Sequence, residues 1–187
     1  RQPTIEVRHV LDGGANIGFF TLAAARSRSV ADFVAVEPNP MNLKVLRENL
    51  PFAVILPVAL DGCDREAEFE FLSANTGHLS GAPGHDYARG TGRVHCQRLG
   101  PILPASWDCR HTWLKLDIEG SEFSVMREFL ANDLRRPAVI SMEVHDYLQA
   151  GGVTLVKDLR QAGYRVAVEG SGSSGNVCRQ VFAELLV

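Results

Sequence analysis

A glycine-rich turn between an apolar run and a helix-like segment constrains this chain more than any other feature. Residues 10–22 read VLDGGANIGFFTL, and the short apolar run that ends at Asp12 is typical of a buried parallel strand. Gly13, Gly14 and Gly18 let the backbone turn tightly and approach a ligand without a Cβ in the way. The segment therefore predicts a strand, a turn and a helix that together hold a ligand.

An acidic residue follows the second apolar run at the spacing expected for ribose recognition. The run 34–36 leads directly into Glu37, which lies 25 residues beyond Asp12. A carboxylate at this position can accept hydrogen bonds from both hydroxyls of a ribose. Together with the glycine turn, Glu37 predicts a nucleoside-cofactor site. The alternative is a strand–helix–strand crossover whose glycines only permit close packing.

The glycine spacing favours S-adenosylmethionine (SAM) over a dinucleotide. Asn16 stands where a dinucleotide fingerprint carries its middle glycine, so close approach to a pyrophosphate is poorly provided for. SAM has no phosphate, and its carboxylate and ammonium can be held by turn amides and by a carboxylate such as Asp12. Two other classes stay open: a NAD(P)-dependent oxidoreductase, and a catalytically silent binding module that keeps the fold.

Length, charge and cysteine spacing narrow the class of protein further. The 187 residues suit a single domain spanning 1–187, and a net charge of −3 provides no basic surface for nucleic acid. The cysteines form no Cys-x-x-Cys pair, which argues against a zinc knuckle or a disulfide framework. No run approaches the ~20 apolar residues of a membrane span. We expect a cytoplasmic protein, and because the chain opens at Arg1, part of a longer polypeptide.

Strands and helices alternate along the chain, which predicts a Rossmann-like, doubly wound α/β fold. The sheet is expected to be mostly parallel and seven-stranded with an antiparallel C-terminal strand, because a short turn joins the last two strands. Asn39 and Pro40 are predicted as the N-cap and first residue of the second helix. The predicted main strands are 9–12, 33–36, 53–59, 113–116, 138–144, 164–168 and 180–186.

A small β insertion interrupts this alternation. Residues 66–72 alternate charged and apolar side chains, and 94–99 is expected to pair with them. Between them, the Gly-rich insertion loop 73–93 contains too many helix and strand breakers for regular structure. His78 lies in this loop, where it could contact substrate once the loop closes.

Four segments are distinctive when read together, and the one around Asp117 is the most specific. They are DGGANIGFFT (12–21), VEPNP (36–40), LDIEGSE (116–122) and MEVH (142–145). In combination they resemble the FkbM family of class I SAM-dependent methyltransferases. The resemblance implies SAM as methyl donor, S-adenosyl-L-homocysteine (SAH) as product, and O-methylation of a hydroxylated small molecule, natural product or sugar.

The same resemblance implies which residues contact the cofactor. The glycine turn with Asp12 would hold the methionine portion, Glu37 the ribose, and Asp61 the adenine amino group, although an Asp-Gly pair at 61–62 is equally typical of a turn. The implied cofactor-binding residues are Asp12, Gly14, Asn16, Gly18, Glu37, Asn39, Asp61 and Asp117.

Three carboxylates crowd the end of the fourth main strand: Asp117, Glu119 and Glu122. Such crowding needs compensation from the following helix dipole, Lys115, a metal ion or a cationic ligand such as a sulfonium. We predict Asp117 in the site and Glu119 and Glu122, with His78, as substrate-binding candidates. The alternative is that both glutamates merely favour the helix start.

A hydroxyl acceptor benefits from a general base, and His145 at the tip of the fifth main strand is the best-placed imidazole. Asp117 is the alternative base, and His145 could instead be a structural residue. A divalent metal shared by Asp117, Glu119 and His145 is compatible with these ligand types, but we predict none.

Overall fold

A mostly parallel sheet organises the chain in the computed structural model, which describes residues 3–27, 29–71, 77–79, 90–145, 151–170 and 178–186. The strands are β1 (His9–Gly13), β2 (Asp32–Val36), β3 (Val54–Leu56), β4 (Ala59–Leu60), β5 (Arg65–Phe71), β6 (Gly77–Leu79), β7 (Gly90–Gln97), β8 (Thr112–Leu116), β9 (Val139–Val144), β10 (Tyr164–Glu169) and β11 (Arg179–Leu185). The helices are α1 (Phe19–Ala24), α2 (Pro40–Asn49), α3 (Leu99–Ile102), α4 (Glu122–Asn132) and α5 (Gly152–Gln161).

The main sheet has seven strands in the order β10-β11-β9-β8-β1-β2-β3. All neighbouring pairs are parallel except those that involve β11, which runs antiparallel to β9 and to β10. The predicted fold class is therefore confirmed. Because β1 lies between β2 and β8, their carboxyl ends meet at one edge of the sheet, where ligands bind in doubly wound folds.

The second helix begins as the sequence predicts. The Asn39 side chain accepts a hydrogen bond from the Met41 amide at 3.0 Å, and Pro40 is the first helical residue. This cap satisfies an amide that lacks a partner within the helix. The apolar stripe Leu43, Leu46 and Leu50 is buried against the sheet.

A second sheet of four strands, ordered β4-β7-β5-β6, packs beside the main one. The predicted single strand 53–59 is wrong, because it divides into β3 in the main sheet and β4 in the second. Pro57 lies at the break, and a proline cannot donate to a strand ladder. The pairing of the two predicted insertion strands, now β5 and β7, is confirmed.

Part of the Gly-rich loop 73–93 also forms regular structure, contrary to the prediction. Residues 77–79 pair antiparallel with β5, and β7 already begins at Gly90. Pairing with a neighbouring strand fixes the backbone even where glycines make it intrinsically flexible. Residues 72–76 and 80–89 lie outside the described part of the chain. None of the described helices combines the length and apolar character needed to cross a bilayer.

Candidate active site

The glycine turn is held in a conformation that two of its glycines make possible. Gly14 has φ +73°, and a Cβ there would lie 1.8 Å from the Asp117 carbonyl oxygen. Gly18 has φ +94°, and its Cβ would lie 3.0 Å from the Leu46 and Leu50 side chains. Both positions favour glycine because L-residues rarely adopt positive φ. The turn therefore passes directly over the end of β8.

Glu37 ties this turn to the start of α2. It is 6% exposed, and its carboxylate accepts hydrogen bonds from the Asn16 amide at 2.9 Å and the Asn39 amide at 2.8 Å. The Asn42 side-chain amide lies 3.4 Å from the same carboxylate. Burial raises the pKa of Glu37, while these hydrogen bonds oppose the rise. The carboxylate is thus fixed in position at the edge of a cavity.

We call this opening the cofactor cavity. It has a volume of about 80 Å³, is open to solvent on one side, and lies at the carboxyl ends of β1, β2 and β8. Its lining combines polar residues with an apolar wall to which the insertion strand β5 contributes Phe69. The lining residues are Gly14, Asn16, Val36, Glu37, Pro38, Asn42, Val58, Ala59, Leu60, Phe69, Asp117, Ile118 and Glu119.

Five of the predicted site residues thus meet in one cavity: Gly14, Asn16, Glu37, Asp117 and Glu119. The sequence prediction missed Asn42, Val58, Phe69 and Ile118. Asn42 carries a recognisable signal, since it is a polar residue in the first turn of a helix that begins beside Glu37. The three apolar residues carry no local signal, because apolar side chains in strands and turns are most often part of the core.

Asp12 lies behind the turn rather than in the cavity lining. It is fully buried, accepts a hydrogen bond from the Thr21 hydroxyl at 2.7 Å, and lies 3.1 Å from the Lys115 ammonium. Lys115 in turn donates to the Gly14 carbonyl oxygen at 2.8 Å. Asp12 and Lys115 therefore brace the turn against β8, and direct contact between Asp12 and a cofactor stays a prediction.

Three other cofactor candidates also lie outside the cavity lining: Gly18, Asn39 and Asp61. Asn39 is 1% exposed and caps α2. Asp61 is 8% exposed, and its carboxylate accepts hydrogen bonds from Arg65 at 2.8 Å and the Ser124 hydroxyl at 3.0 Å. These contacts hold Asp61 between the second sheet and α4, so its contact with an adenine ring stays a prediction.

The negative charges of the carboxylate cluster after β8 are stabilised mainly by backbone amides and by the His145 ring. Glu122 is fully buried, and its carboxylate accepts hydrogen bonds from the Ile118 amide at 3.0 Å and the Gly120 amide at 3.1 Å. The His145 ring places Nδ1 3.2 Å from Glu122 and Nε2 3.2 Å from Glu119. Glu122 therefore caps the turn that carries Glu119, which has φ +53°.

These contacts set the charge states of the two candidate bases. Burial acts to lower the pKa of His145, but the hydrogen bond to Glu122 and the charges of Glu119 and Asp117 outweigh it and raise the pKa to about 9. Burial raises the pKa of Asp117 to about 6, opposed by Lys115 and reinforced by Glu143. At neutral pH His145 carries a proton, whereas Asp117 is largely ionised.

A metal ion would have to compete with these contacts. Ligand atoms of Asp117, Glu119 and His145 lie within 4.8 Å of one another, as do those of Glu143, His145 and Cys178. Both ring nitrogens of His145 already face carboxylates, so we assign no metal. His78 lies in β6 opposite Glu70, and its side chain is outside the described part of the chain.

Three solved structures with a similar fold are methyltransferases. An FkbM methyltransferase from Methylobacillus flagellatus KT matches with a TM-score of 0.62 and 14% identity over 94% of this chain and 43% of that one. The N-terminal domain of human METTL16 in complex with SAH matches with a TM-score of 0.53 and 14% identity. The match covers 96% of this chain and 61% of that one. An rRNA methylase from Streptococcus thermophilus matches with a TM-score of 0.57 and 9% identity. The match covers 97% of this chain and 89% of that one. The fold is that of a SAM-dependent methyltransferase.

The family follows from the sequence itself. Residues 12–166 match the methyltransferase FkbM domain, so the chain belongs to the FkbM methyltransferase family, as the four motifs predicted. No curated protein sequence matches the chain. The chain spans less than half of the M. flagellatus protein, and an rRNA methylase shares its fold. The fold alone therefore leaves the acceptor open.

Proposed function

We propose that this chain binds SAM in the cofactor cavity and transfers its methyl group to a hydroxyl of a small-molecule acceptor. The observation that carries the proposal is the meeting of Gly14, Glu37 and Asp117 around one cavity at the carboxyl ends of the parallel strands. In a doubly wound sheet this edge is where ligands bind.

The lining of the cavity suits the three parts of the cofactor. Gly14 and Asn16 would border the methionine portion. The Glu37 carboxylate accepts three hydrogen bonds, which leaves one of its roughly four lone-pair sites for a ribose hydroxyl. Val58 and Phe69 supply an apolar wall for the adenine ring. Because the cavity is open to solvent on one side, a nucleoside would extend into that opening. Asn39 and Gly18 support this arrangement from outside the lining.

SAM supplies a sulfonium whose methyl group is the electrophile. The chain then has to place the acceptor oxygen in line with that methyl carbon and accept the proton that the hydroxyl loses. Asp117 suits the second task because it lines the cavity and is largely ionised at neutral pH. His145 is protonated under the same conditions, so we assign it to holding Glu119 and the turn, in preference to the role of base predicted from the sequence.

The charge of the chain supports a small-molecule acceptor over RNA. The net charge is −3, and the carboxylates around Asp117 would repel a phosphate backbone.

The proposal is tested by calorimetric titration of SAM and SAH, followed by incubation with SAM and a panel of hydroxylated metabolites. We expect saturable binding of both nucleosides and a mass gain of one methyl group on an acceptor, with SAH released in equal amount. Absence of SAM and SAH binding by the folded protein would refute the proposal. Quenching of NADH fluorescence in its place would favour an oxidoreductase.

A further inference from the structure

A second opening runs along the α1 face of the main sheet, and we call it the aromatic groove. Its volume is about 440 Å³, and Phe20, Trp113 and Phe182 line one part of it. Phe20 stands edge-on to Trp113, with ring centroids 4.9 Å apart. Phe20 on α1, Trp113 on β8 and Phe182 on β11 belong to one hydrophobic cluster. In the groove lining, Ser141 on the intervening β9 accepts a hydrogen bond from Trp113 Nε1 at 2.9 Å.

The other part of the groove reaches the proposed reaction centre. Asp117 lines both the aromatic groove and the cofactor cavity. A molecule that lies in the groove can therefore present a hydroxyl to Asp117 from one side while the cofactor approaches from the other. The two openings share the one residue that we propose as base, which is the arrangement a two-substrate transfer requires.

The end of the groove near Asp117 is acidic. Glu143 and Glu169 line it as well, and the hydrogen bonds that Glu143 accepts, from Cys178 and from Gln180 at 2.7 Å, come from uncharged donors. Two cations lie near this end in the described part of the chain, and carboxylates offset both charges. Lys115 lies 3.1 Å from Asp12, and the protonated His145 lies 3.2 Å from Glu119 and from Glu122. The groove therefore attracts cations and disfavours phosphates and carboxylates.

We propose that the aromatic groove is the acceptor site and that it takes an amino alcohol borne on an apolar ring. The ring would pack against Phe20, Trp113 and Phe182, the hydroxyl would lie at Asp117, and the ammonium would face Glu143. This inference rests on the proposed methyl transfer and deepens it by naming the class of acceptor.

The bound charge state also selects the reacting atom. Held as an ammonium by the carboxylates, the nitrogen has no lone pair with which to attack. The hydroxyl oxygen forms the new bond to the methyl carbon, the S–C bond breaks with its electron pair on sulfur, and the hydroxyl proton passes to Asp117. The products are a methyl ether and SAH.

Three compounds with the same phenyl ring and benzylic hydroxyl test the charge preference. They are 2-amino-1-phenylethanol, which is a cation, 1-phenylethane-1,2-diol, which is neutral, and mandelate, which is an anion. Each is titrated calorimetrically into the SAH-saturated protein. We expect the cation to bind most tightly and mandelate most weakly. Glu143→Gln should lower the affinity for the cation roughly 5-fold, the upper range for a partly exposed ion pair. It should leave the affinity for the diol unchanged.

Controls separate this inference from the proposed function. Glu48→Gln, which removes an exposed carboxylate on α2, should change none of the three affinities. Phe20→Ala should lower the affinity for all three compounds by the same factor, because it removes part of the apolar surface that their shared ring contacts. Should Glu143→Gln fail to fold, the order of the three affinities for the unaltered protein still tests the charge preference.

Two kinds of result would overturn the acceptor site while leaving methyl transfer intact. One is equal affinity for the three compounds, and the other is a preference for the cation that survives Glu143→Gln in a protein that still binds SAH. Loss of SAH binding by the unaltered protein would instead refute the proposed function.

Discussion

Replacing Asp117 with asparagine should stabilise the protein at alkaline pH and not at acidic pH. Asp117 is a carboxyl whose pKa in the folded protein rises from 3.8 to about 6. The fold therefore favours its protonated form, and the cost of its charge is absent below pH 3.8 and complete above about pH 6. Asp117→Asn keeps the shape of the side chain and removes this cost.

The structure sets the size of the effect. A rise in pKa from 3.8 to about 6 corresponds to about 3 kcal/mol for a fully desolvated charge. The side chain is 35% exposed, and solvent screening at that exposure reduces the expected gain to about 1 kcal/mol. In a domain of this size that gain raises the melting temperature by roughly 2–4 °C. The groups that act on the Asp117 charge are Lys115, Glu119, Glu143 and His145.

The assay is thermal unfolding of wild type and Asp117→Asn at pH 4 and pH 8, followed by circular dichroism. A higher melting temperature at pH 8 with little change at pH 4 is the expected result. Equal shifts at both values, or a loss of stability at pH 8, would refute the assigned charge state. Once an acceptor is known, the rate of Asp117→Asn should fall roughly 10²- to 10⁴-fold, the range for removing a general base. The acidic limb of the wild-type rate should lie near pH 6 rather than near pH 9.

The remaining predictions use the same protein without an acceptor. His145→Gln should destabilise the protein at pH 6, where the raised His145 pKa of about 9 contributes its full effect to the free energy of unfolding. The loss of stability should shrink as the pH rises through 9. Unfolding curves that shift equally at pH 6 and pH 10 would argue against this. Glu37→Ala should weaken SAM binding by roughly 1–3 kcal/mol in calorimetry, whereas Glu48→Ala should not. Gly14→Ala should cost more than about 2 kcal/mol in urea unfolding because of its positive φ and the clash with a backbone oxygen; normal stability would show that the turn can relax. Shortening the loop 73–93 should spare SAM binding and damage turnover, and loss of SAM binding in a folded variant would place the loop in the cofactor site.

Much of the fold could be predicted because its signals are local. The turn at Gly14, the cap at Asn39 and the apolar runs of the strands each depend on residues close together in the chain. The antiparallel strand β11 follows from a short connection between the last two strands. That Glu37 and the glycine turn meet at one cavity could be predicted for the same reason, since they lie at the ends of consecutive parallel strands. Their contact with a cofactor stays a prediction.

The charge states and the shape of the site needed the tertiary structure. The predicted base His145 is held between Glu119 and Glu122, and its raised pKa comes from contacts across more than 20 residues of chain. The predicted cofactor ligand Asp12 faces Lys115 behind the turn, and Phe69 reaches the cavity from a second sheet. A pattern of apolar and polar residues specifies the faces of strands and helices, because that choice depends on neighbours three or four positions away. Which carboxylate meets which cation depends on how those elements pack together, and packing joins residues that the sequence keeps far apart.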